Sequence, residues 1–458
     1  MVLARLLTPE QIGIYSLCAA IAAMATIFRD FGVSEYIIQE KTLTQNKLRG
    51  AYALAFLMAW VMAALLFSVK NVIADYYGEQ GVSDIITILS LNFLILPFAS
   101  PGFAILHREM AFKTIFLIQF PSTIVHAVTG IILAHNGFSY MSLAWASLAN
   151  IITQTILVII LRPKESLLFP SIREMRHVWR FGITFSASRT VETIMNNSHE
   201  LIISRQFGFA QLGLFSKALG LINLFWTNVT FAVTRVAAPA FAASYHKSGQ
   251  NLLADYLKAL RYFTVLAWPF FGFIALESRN IIYILFGEQW VAAAPIAVVL
   301  AFTQMISSII ALAPNALIAM GKVKKRLRIS LIIAPIHIGG ILIASSYNIM
   351  WVASIWGVTW LTALILYNHY LSKTIGVTYS RLFETVKPSL IVAIFTVTSL
   401  NAASALVGND PDDIFLEFAV SCVTTTLAWL AAVYAIKHPI ADDVSSVFSW
   451  ITKKHKSK

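Results

Sequence analysis

The sequence predicts an all-α polytopic membrane protein built from two similar halves. Of its 458 residues, 58% are hydrophobic and only 12% are charged. The apolar residues fall in runs close to the roughly 20 residues that cross a hydrocarbon core. Only helices and closed barrels satisfy their backbone hydrogen bonds in lipid, and runs of this length indicate helices. We therefore expect a bundle of transmembrane helices and not a soluble enzyme.

Thirteen apolar runs follow one another along the chain, so we expect about 13 spans. The first span is expected at 12–28, with residue 39 as its alternative end. The predicted spans are 12–28, 50–69, 84–106, 114–134, 139–161, 181–204, 210–241, 262–286, 291–320, 329–346, 350–370, 387–407 and 414–436.

The two halves of the chain repeat one another at a shift of about 200 residues. The segment MVLARLLTPEQIGIYS (1–16) aligns with LIISRQFGFAQLGLFS (201–216), and YYGEQGV (76–82) aligns with LFGEQWV (285–291). An internal repeat in a strongly apolar chain indicates a secondary transporter, in which two similar bundles flank one substrate path.

The repeat and the hydropathy together predict five segments. They are an N-terminal bundle (1–161), a linker (162–180), a C-terminal bundle (181–371), two additional helices (372–436) and a basic tail (437–458). Residues 1–5 align with the last turn of the span that ends near Arg205. We therefore expect two pseudo-symmetric six-helix bundles plus an appended pair, with the first helix of the N-terminal bundle missing.

Basic residues accumulate in every second loop, which is the positive-inside pattern. Seven segments hold 26 of the 34 lysines and arginines, and the tail is one of them. The loops between them, such as 75–84 and 408–413, are neutral or acidic. The C-terminus is therefore expected on the cytoplasmic side. Because the net charge of +12 is divided among these loops, the sequence favours membrane lipid and not nucleic acid as a partner.

No motif in the sequence predicts catalytic residues, a cofactor or a metal site. Cys18 and Cys422 both lie in apolar runs and have no ligand spacing. Paired carboxylates, a Walker loop and an HExxH pattern do not occur in a suitable setting. The predicted loops are also short for an active site. A membrane polysaccharide polymerase is thus a less favoured alternative.

Four segments of the chain carry a family resemblance. They are RLLTPEQIGIYS (5–16), FRDFGVSEYIIQ (28–39), NNSHELIISRQFGFAQLGLFSKA (196–218) and LFGEQWVAAAPI (285–296). Together they resemble the Wzx-like polysaccharide-lipid flippases of the MOP superfamily, which export O-antigen and related polysaccharides. The resemblance extends over essentially the whole chain.

The resemblance implies a flippase for undecaprenyl-diphosphate-linked oligosaccharide in the bacterial inner membrane. It would supply lipopolysaccharide, capsule or exopolysaccharide assembly by alternating access, coupled to a gradient of H+ or Na+. A polysaccharide polymerase and glycosyltransferases are the implied protein partners. A multidrug or cation antiporter of the same superfamily is the alternative, and it would favour a net acidic cavity.

Ionisable groups inside spans are costly and mark transport pathways. On a helix, Arg189, Glu192, Asn196 and Glu200 fall within about 100° of one another, and Lys217, Asn228 and Arg235 within about 20°. Arginine suits a diphosphate because its planar fork bonds two oxygens. The predicted substrate-binding residues are Arg29, Arg189, Asn196, Lys217, Asn228 and Arg235, and the predicted ion-coupling residues are Glu192, Glu200 and His199.

A structural alternative exists for the basic residues of this set. Arg29 is close in sequence to Asp30 and Glu35, and Arg189 is close to Glu192. Such pairs would hold helices together without binding a substrate. Embedded acids and bases are equal in number, so charge alone does not identify an anionic substrate.

Overall fold

The computed structural model describes residues 2–162, 170–172, 175–248, 251–407, 414–443 and 445–446. Every element in these ranges is helical, which confirms the predicted all-α class. Two compact units divide the chain, Met1–Leu214 and Phe215–Lys458. Much of the predicted linker and of the predicted basic tail lies outside the described residues, and the bundle boundaries stay predictions.

The first unit contains eight whole helices and most of a ninth. A short 3-10 turn, Leu96–Phe98, joins α5 to α6. The helices are α1 Val2–Leu6, α2 Pro9–Asp30, α3 Val33–Gln39, α4 Gln45–Tyr77, α5 Gln80–Ile95, α6 Ser100–Arg108, α7 Phe112–His135, α8 Met141–Leu161 and α9 Met175–Phe225.

The second unit begins inside α9 and continues through a π-helical turn, Trp226–Thr230. A 3-10 segment, Glu288–Ala293, precedes α12. The helices are α10 Phe231–Ser248, α11 Asn251–Phe286, α12 Ala294–Ile310, α13 Ala313–Ala319, α14 Val323–Ala344, α15 Ile349–Ile375, α16 Tyr379–Val407 and α17 Ile414–Ala435.

Twelve stretches of the described residues are long and apolar enough to cross a membrane. One of them, Arg189–Tyr245, has 57 residues, and a helix of that length would measure about 85 Å. It covers two predicted spans, and the backbone leaves helical geometry between them at Gly208 (φ 82°). The chain is therefore a multi-pass membrane protein, and its spans agree with the thirteen predicted.

Glycine brings the two copies of the repeat into backbone contact. A Cβ added to Gly13 would lie 1.8 Å from the carbonyl oxygen of Phe209, and one added to Gly213 would lie 1.9 Å from that of Pro9. Because the repeat aligns Gly13 with Gly213 and Pro9 with Phe209, the two contacts are the same contact made twice. Small residues allow such close helix approach in membranes.

The junction of α2 and α3 is a sharp break in the backbone. Phe31 (φ 40°) and Gly32 (φ 68°) both adopt the left-handed conformation, which costs a non-glycine residue about 1–2 kcal/mol. Phe31 is held by the ring of Trp179 at 4.7 Å and by Gly182, where an added Cβ would lie 2.1 Å from the Phe31 oxygen. Helix α9 thus fixes the break in place.

Helix α3 is also held at its far end. Arg108 at the end of α6 donates from Nη1 to the carbonyl oxygens of Ile37 (2.6 Å) and Ile38 (3.2 Å). These carbonyls belong to the last turn of α3, where helical partners are lacking. A seven-residue helix is marginal by itself, so this contact fixes α3 against α6.

In the second unit, the appended helices pack along α11 through buried polar contacts. Thr264 donates to Ser389 of α16 at 2.9 Å, and Ser421 of α17 donates to Glu277 at 2.8 Å. Glu277 also accepts from Asn280 at 3.0 Å and is only 4% exposed. A buried carboxylate in a span must be hydrogen-bonded, so Glu277 joins α17 to α11.

Candidate substrate cavity

A cavity lined by both apolar and polar side chains lies inside the first unit where two helices are interrupted. It has a volume of about 260 Å³ and adjoins a much smaller void of about 10 Å³ that several of the same residues line. The break at Phe31–Gly32 borders it on one side and the 3-10 turn between α5 and α6 on the other. Irregular backbone at membrane depth is tolerated where it is buried or lines a cavity, and discontinuous helices often mark binding sites in transporters.

Arg29 and Asp30 line both parts of this cavity. Arg29 Nη2 lies 2.6 Å from Asp30 Oδ1, and the arginine side chain is 13% exposed. The guanidinium also lies 5.5 Å from the centre of the Phe93 ring. The structure therefore shows the ion pair that the sequence offered as an alternative, and it places that pair at the cavity wall.

Four further polar side chains line the cavity. Ser34 follows the first break, Ser100 begins α6, His107 lies near the end of α6, and Gln154 lies on α8. No side-chain hydrogen bond joins any of these four groups to another described residue. The ring of His107 lies 4.9 Å from that of Phe103. The cavity thus presents hydroxyl, imidazole and amide groups that are available to a ligand or to water.

The predicted polar stripe of α9 lies on one continuous helix. Arg189 Nη1 lies 3.1 Å from Glu35 Oε1 of α3, and the arginine side chain is 57% exposed. Asn196 is exposed, whereas Glu192 is partly buried. The structure therefore joins Arg189 to α3, the helix that follows the cavity break.

His199 and Glu200 lie side by side in the same helix. His199 Nε2 is 3.1 Å from Glu200 Oε1, and the two side chains are 2% and 16% exposed. Their assignment as ion-coupling residues stays a prediction.

Lys217, Asn228 and Arg235 belong to the second unit. Lys217 Nζ lies 5.2 Å from the ring centres of both Phe286 and Trp290, which is cation–π distance. Asn228 donates to the Leu224 carbonyl within its own helix, and Arg235 is exposed with its guanidinium 4.0 Å from the Phe231 ring centre.

The angular alignment predicted for these three residues was wrong in its premise. Steps of 100° assume an unbroken α-helix, but the π turn Trp226–Thr230 lies between Lys217 and Arg235 and contains Asn228. A π turn accommodates an additional residue and shifts the face that follows. Lys217 and Arg235 are therefore not expected to lie within about 20° of one another around the helix axis, because the π turn separates them.

Several polar residues inside the spans were not predicted from the sequence. The cavity residues Ser34, Ser100, His107 and Gln154 carry no charge that stands out in a span, and Glu277 is a single acid in a long apolar run. The signals that could have found them are Asp30-Phe31-Gly32 and the two prolines Pro97 and Pro101, which interrupt neighbouring apolar segments.

The fold matches solved transporter structures. Lipid II flippase MurJ in an inward closed conformation superposes with a TM-score of 0.75 over 95% of this chain and 96% of that one, at 11% sequence identity. An inward-facing multidrug resistance MATE family transporter of the MOP superfamily gives a TM-score of 0.67 over 81% and 93% of the two chains, at 14% identity. The protein is thus a multi-pass membrane protein with the fold of MOP superfamily transporters.

The family is defined by sequence. Residues 2–295 match the profile of the family described as Polysaccharide biosynthesis protein, and the chain belongs to it. This confirms the resemblance inferred from the four segments. Lipopolysaccharide biosynthesis protein WzxC of Escherichia coli K12 is 24% identical over 313 residues, which are 67% of this chain and 63% of WzxC. Teichuronic acid biosynthesis protein TuaB of Bacillus subtilis is 23% identical over 399 residues, 83% of this chain and 79% of TuaB.

Proposed function

We propose that this protein is a flippase that moves undecaprenyl-diphosphate-linked oligosaccharide across the bacterial inner membrane, with its C-terminus in the cytoplasm. The cavity at the two helix breaks, which charged and polar side chains line together with apolar ones, is the observation that carries the proposal. The headgroup of such a lipid is polar and charged and cannot enter hydrocarbon unaided. A lipid-embedded protein with hydrogen-bonding groups at membrane depth offers a substitute for water along that path.

The family and the relatives support a substrate of this kind. WzxC and TuaB are named for the biosynthesis of lipopolysaccharide and of teichuronic acid, and a further relative, ExoT of Rhizobium meliloti, for succinoglycan biosynthesis transport. We infer that the sugar carried here is a precursor of O-antigen, capsule or exopolysaccharide.

Cations of the second unit are suited to the diphosphate. Arg235 is exposed, and Lys217 is partly buried beside two aromatic rings. Arg189 of the first unit is exposed as well, but a diphosphate would have to compete with Glu35 for it. Arginine binds two phosphate oxygens at once and lysine supplies a point charge. Asn196 and Asn228, which are both exposed, would add neutral donors on the same helices.

Coupling to an ion gradient would use the buried pair of His199 and Glu200, together with Glu192 on the same helix. A proton would be shared between imidazole and carboxylate, whereas Na+ would bind carboxylate oxygens. Transport into everted vesicles should collapse on addition of a protonophore if H+ is used, and on removal of Na+ if Na+ is used. Transport that persists in both conditions would contradict coupling to either ion.

Deletion of the gene is the direct test. We expect loss of surface polysaccharide and accumulation of its lipid-linked intermediate at the inner leaflet, as measured by mass spectrometry. Complementation with Lys217→Ala should restore less polymer than the wild type at equal protein level. Lys113→Ala, an exposed lysine outside this set, is the matched control. Unchanged polysaccharide in the deletion strain would refute the proposal and favour small-molecule export.

A further inference from the structure

We propose that the cavity of the first unit binds the sugar unit next to the diphosphate, and that Gln154 is a specificity-determining residue for that sugar. The proposal rests on the proposed flippase function. It adds that the two parts of the lipid headgroup bind at different places: the uncharged sugar binds in the cavity, and the diphosphate binds outside it.

The charges at the cavity wall compensate one another. Arg29 is the cation and Asp30 the carboxylate, and their 2.6 Å contact leaves no net charge between them. A diphosphate placed there would have to compete with Asp30 for the guanidinium. An uncharged polar group meets no such penalty, so the wall is better matched to a sugar than to a phosphate.

The free polar groups match the chemistry of a sugar. Hydroxyl, imidazole and amide groups both donate and accept hydrogen bonds, and so do sugar hydroxyls. A phosphate at neutral pH mainly accepts, so it would use only half of this capacity. The side chains of Ser34, Ser100, His107 and Gln154 have no hydrogen-bond partner among the residues that the structure describes.

Gln154 is the most informative member of this set because of its depth. It lies seven residues before the end of α8 at Leu161, which is roughly 10 Å along the helix axis. An amide at such depth in a span is costly unless it is hydrogen-bonded. Its neighbour Asn150 has a partner, the Ser122 carbonyl at 2.9 Å, whereas Gln154 lines the cavity.

The cavity also has the size and the apolar surface that a sugar requires. Its volume of about 260 Å³ lies just below the roughly 300–1,000 Å³ of drug-sized ligand sites, so it suits one sugar unit and not a whole oligosaccharide. Phe103 and Leu96 line it beside the polar groups. The C–H face of a pyranose ring can pack against these side chains while its hydroxyls reach the serines and Gln154.

The test measures binding of defined lipids to the full-length protein in nanodiscs by native mass spectrometry. The probes are undecaprenyl diphosphate and the same lipid carrying one glucose, galactose or N-acetylglucosamine. We expect at least one sugar-bearing lipid to bind about five- to tenfold more tightly than the sugar-free lipid, the effect of one net hydrogen bond. Gln154→Leu should abolish that preference and leave sugar-free binding unchanged.

Two further variants complete the test. Gln119→Leu replaces an exposed glutamine of α7 outside the cavity and should change neither affinity. Ser100→Ala removes one cavity hydroxyl with little change in volume and should lower the sugar preference if Gln154→Leu does not fold. Binding of neither lipid would refute the proposed function itself. Equal binding of all probes, or an undiminished preference in the Gln154 and Ser100 variants, would overturn only the sugar site.

Discussion

Replacing Gly13 with alanine tests the backbone contact between the two copies of the repeat. The new Cβ would lie 1.8 Å from the Phe209 carbonyl oxygen, whereas non-bonded heavy atoms prefer about 3.5 Å or more. Helix α2 must therefore withdraw by roughly 1.5 Å from the chain around residue 209. Overpacking of this kind typically costs about 1–3 kcal/mol.

The free energy of unfolding in mixed micelles, measured by denaturant titration, should fall by that amount. Gly213→Ala should cost about the same, because its Cβ would lie 1.9 Å from the Pro9 oxygen. The double variant should cost less than the sum, since one withdrawal relieves both clashes.

Gly220→Ala is the matched control for both substitutions. It lies in the same long helix as Gly213, and nothing approaches within 4 Å of the added Cβ. Alanine there should be neutral or stabilise by up to about 1 kcal/mol through helix propensity. If Gly13→Ala behaved like Gly220→Ala, the close approach would not exist in the protein and the reasoning would fail.

Three other substitutions have defined outcomes. Glu277→Leu should destabilise the protein by about 1–3 kcal/mol, because it leaves the Ser421 hydroxyl buried without its acceptor. Glu277→Gln keeps an acceptor and should lose much less stability. Equal free energies of unfolding for the two variants would contradict this reasoning. Arg108→Met should cost about 1.5–3 kcal/mol by removing its charged hydrogen bonds to the end of α3, which amide hydrogen exchange of residues 33–39 would detect as faster exchange confined to that helix. Burial, with a smaller contribution from the charge of Arg261, lowers the pKa of His438 from 6.5 to about 4. As the pH falls, the unfolded chain therefore binds a proton at this histidine before the folded protein does. The free energy of unfolding should decrease between about pH 6.5 and pH 4. At pH 5 the free energy of unfolding should be about 1–2 kcal/mol lower than at pH 7.5. His438→Gln should remove this pH dependence, and an unchanged pH dependence in that variant would refute the role of His438.

The helical class and the spans were accessible from the sequence because lipid leaves the backbone few choices. Apolar length fixed each span to within several residues, and the repeat indicated the transporter class. The kink at Gly208 could also be anticipated, since the repeat aligns it with Thr8, where α2 begins. Such features depend on local composition.

The cavity could not be predicted to the same degree, because it depends on contacts between segments distant in sequence. The left-handed conformation of Phe31 is sustained by Trp179 and Gly182, which lie about 150 residues later. Gln154 reaches the cavity only through the packing of α8. The charge of Arg29 in an apolar span predicted a functional role for it, whereas neutral polar residues such as Gln154 are common enough in spans to predict none.

The reciprocal glycine contact also explains how a duplicated gene could diverge without losing its internal symmetry. Each glycine approaches a carbonyl oxygen and not a side chain. The residue opposite each glycine can therefore have any side chain that leaves the backbone conformation unchanged. It is Phe209 opposite Gly13 and Pro9 opposite Gly213. Only the residue without a side chain is constrained, and it is glycine in both. The side chain opposite each glycine can therefore differ between the two copies while the backbone contact stays the same.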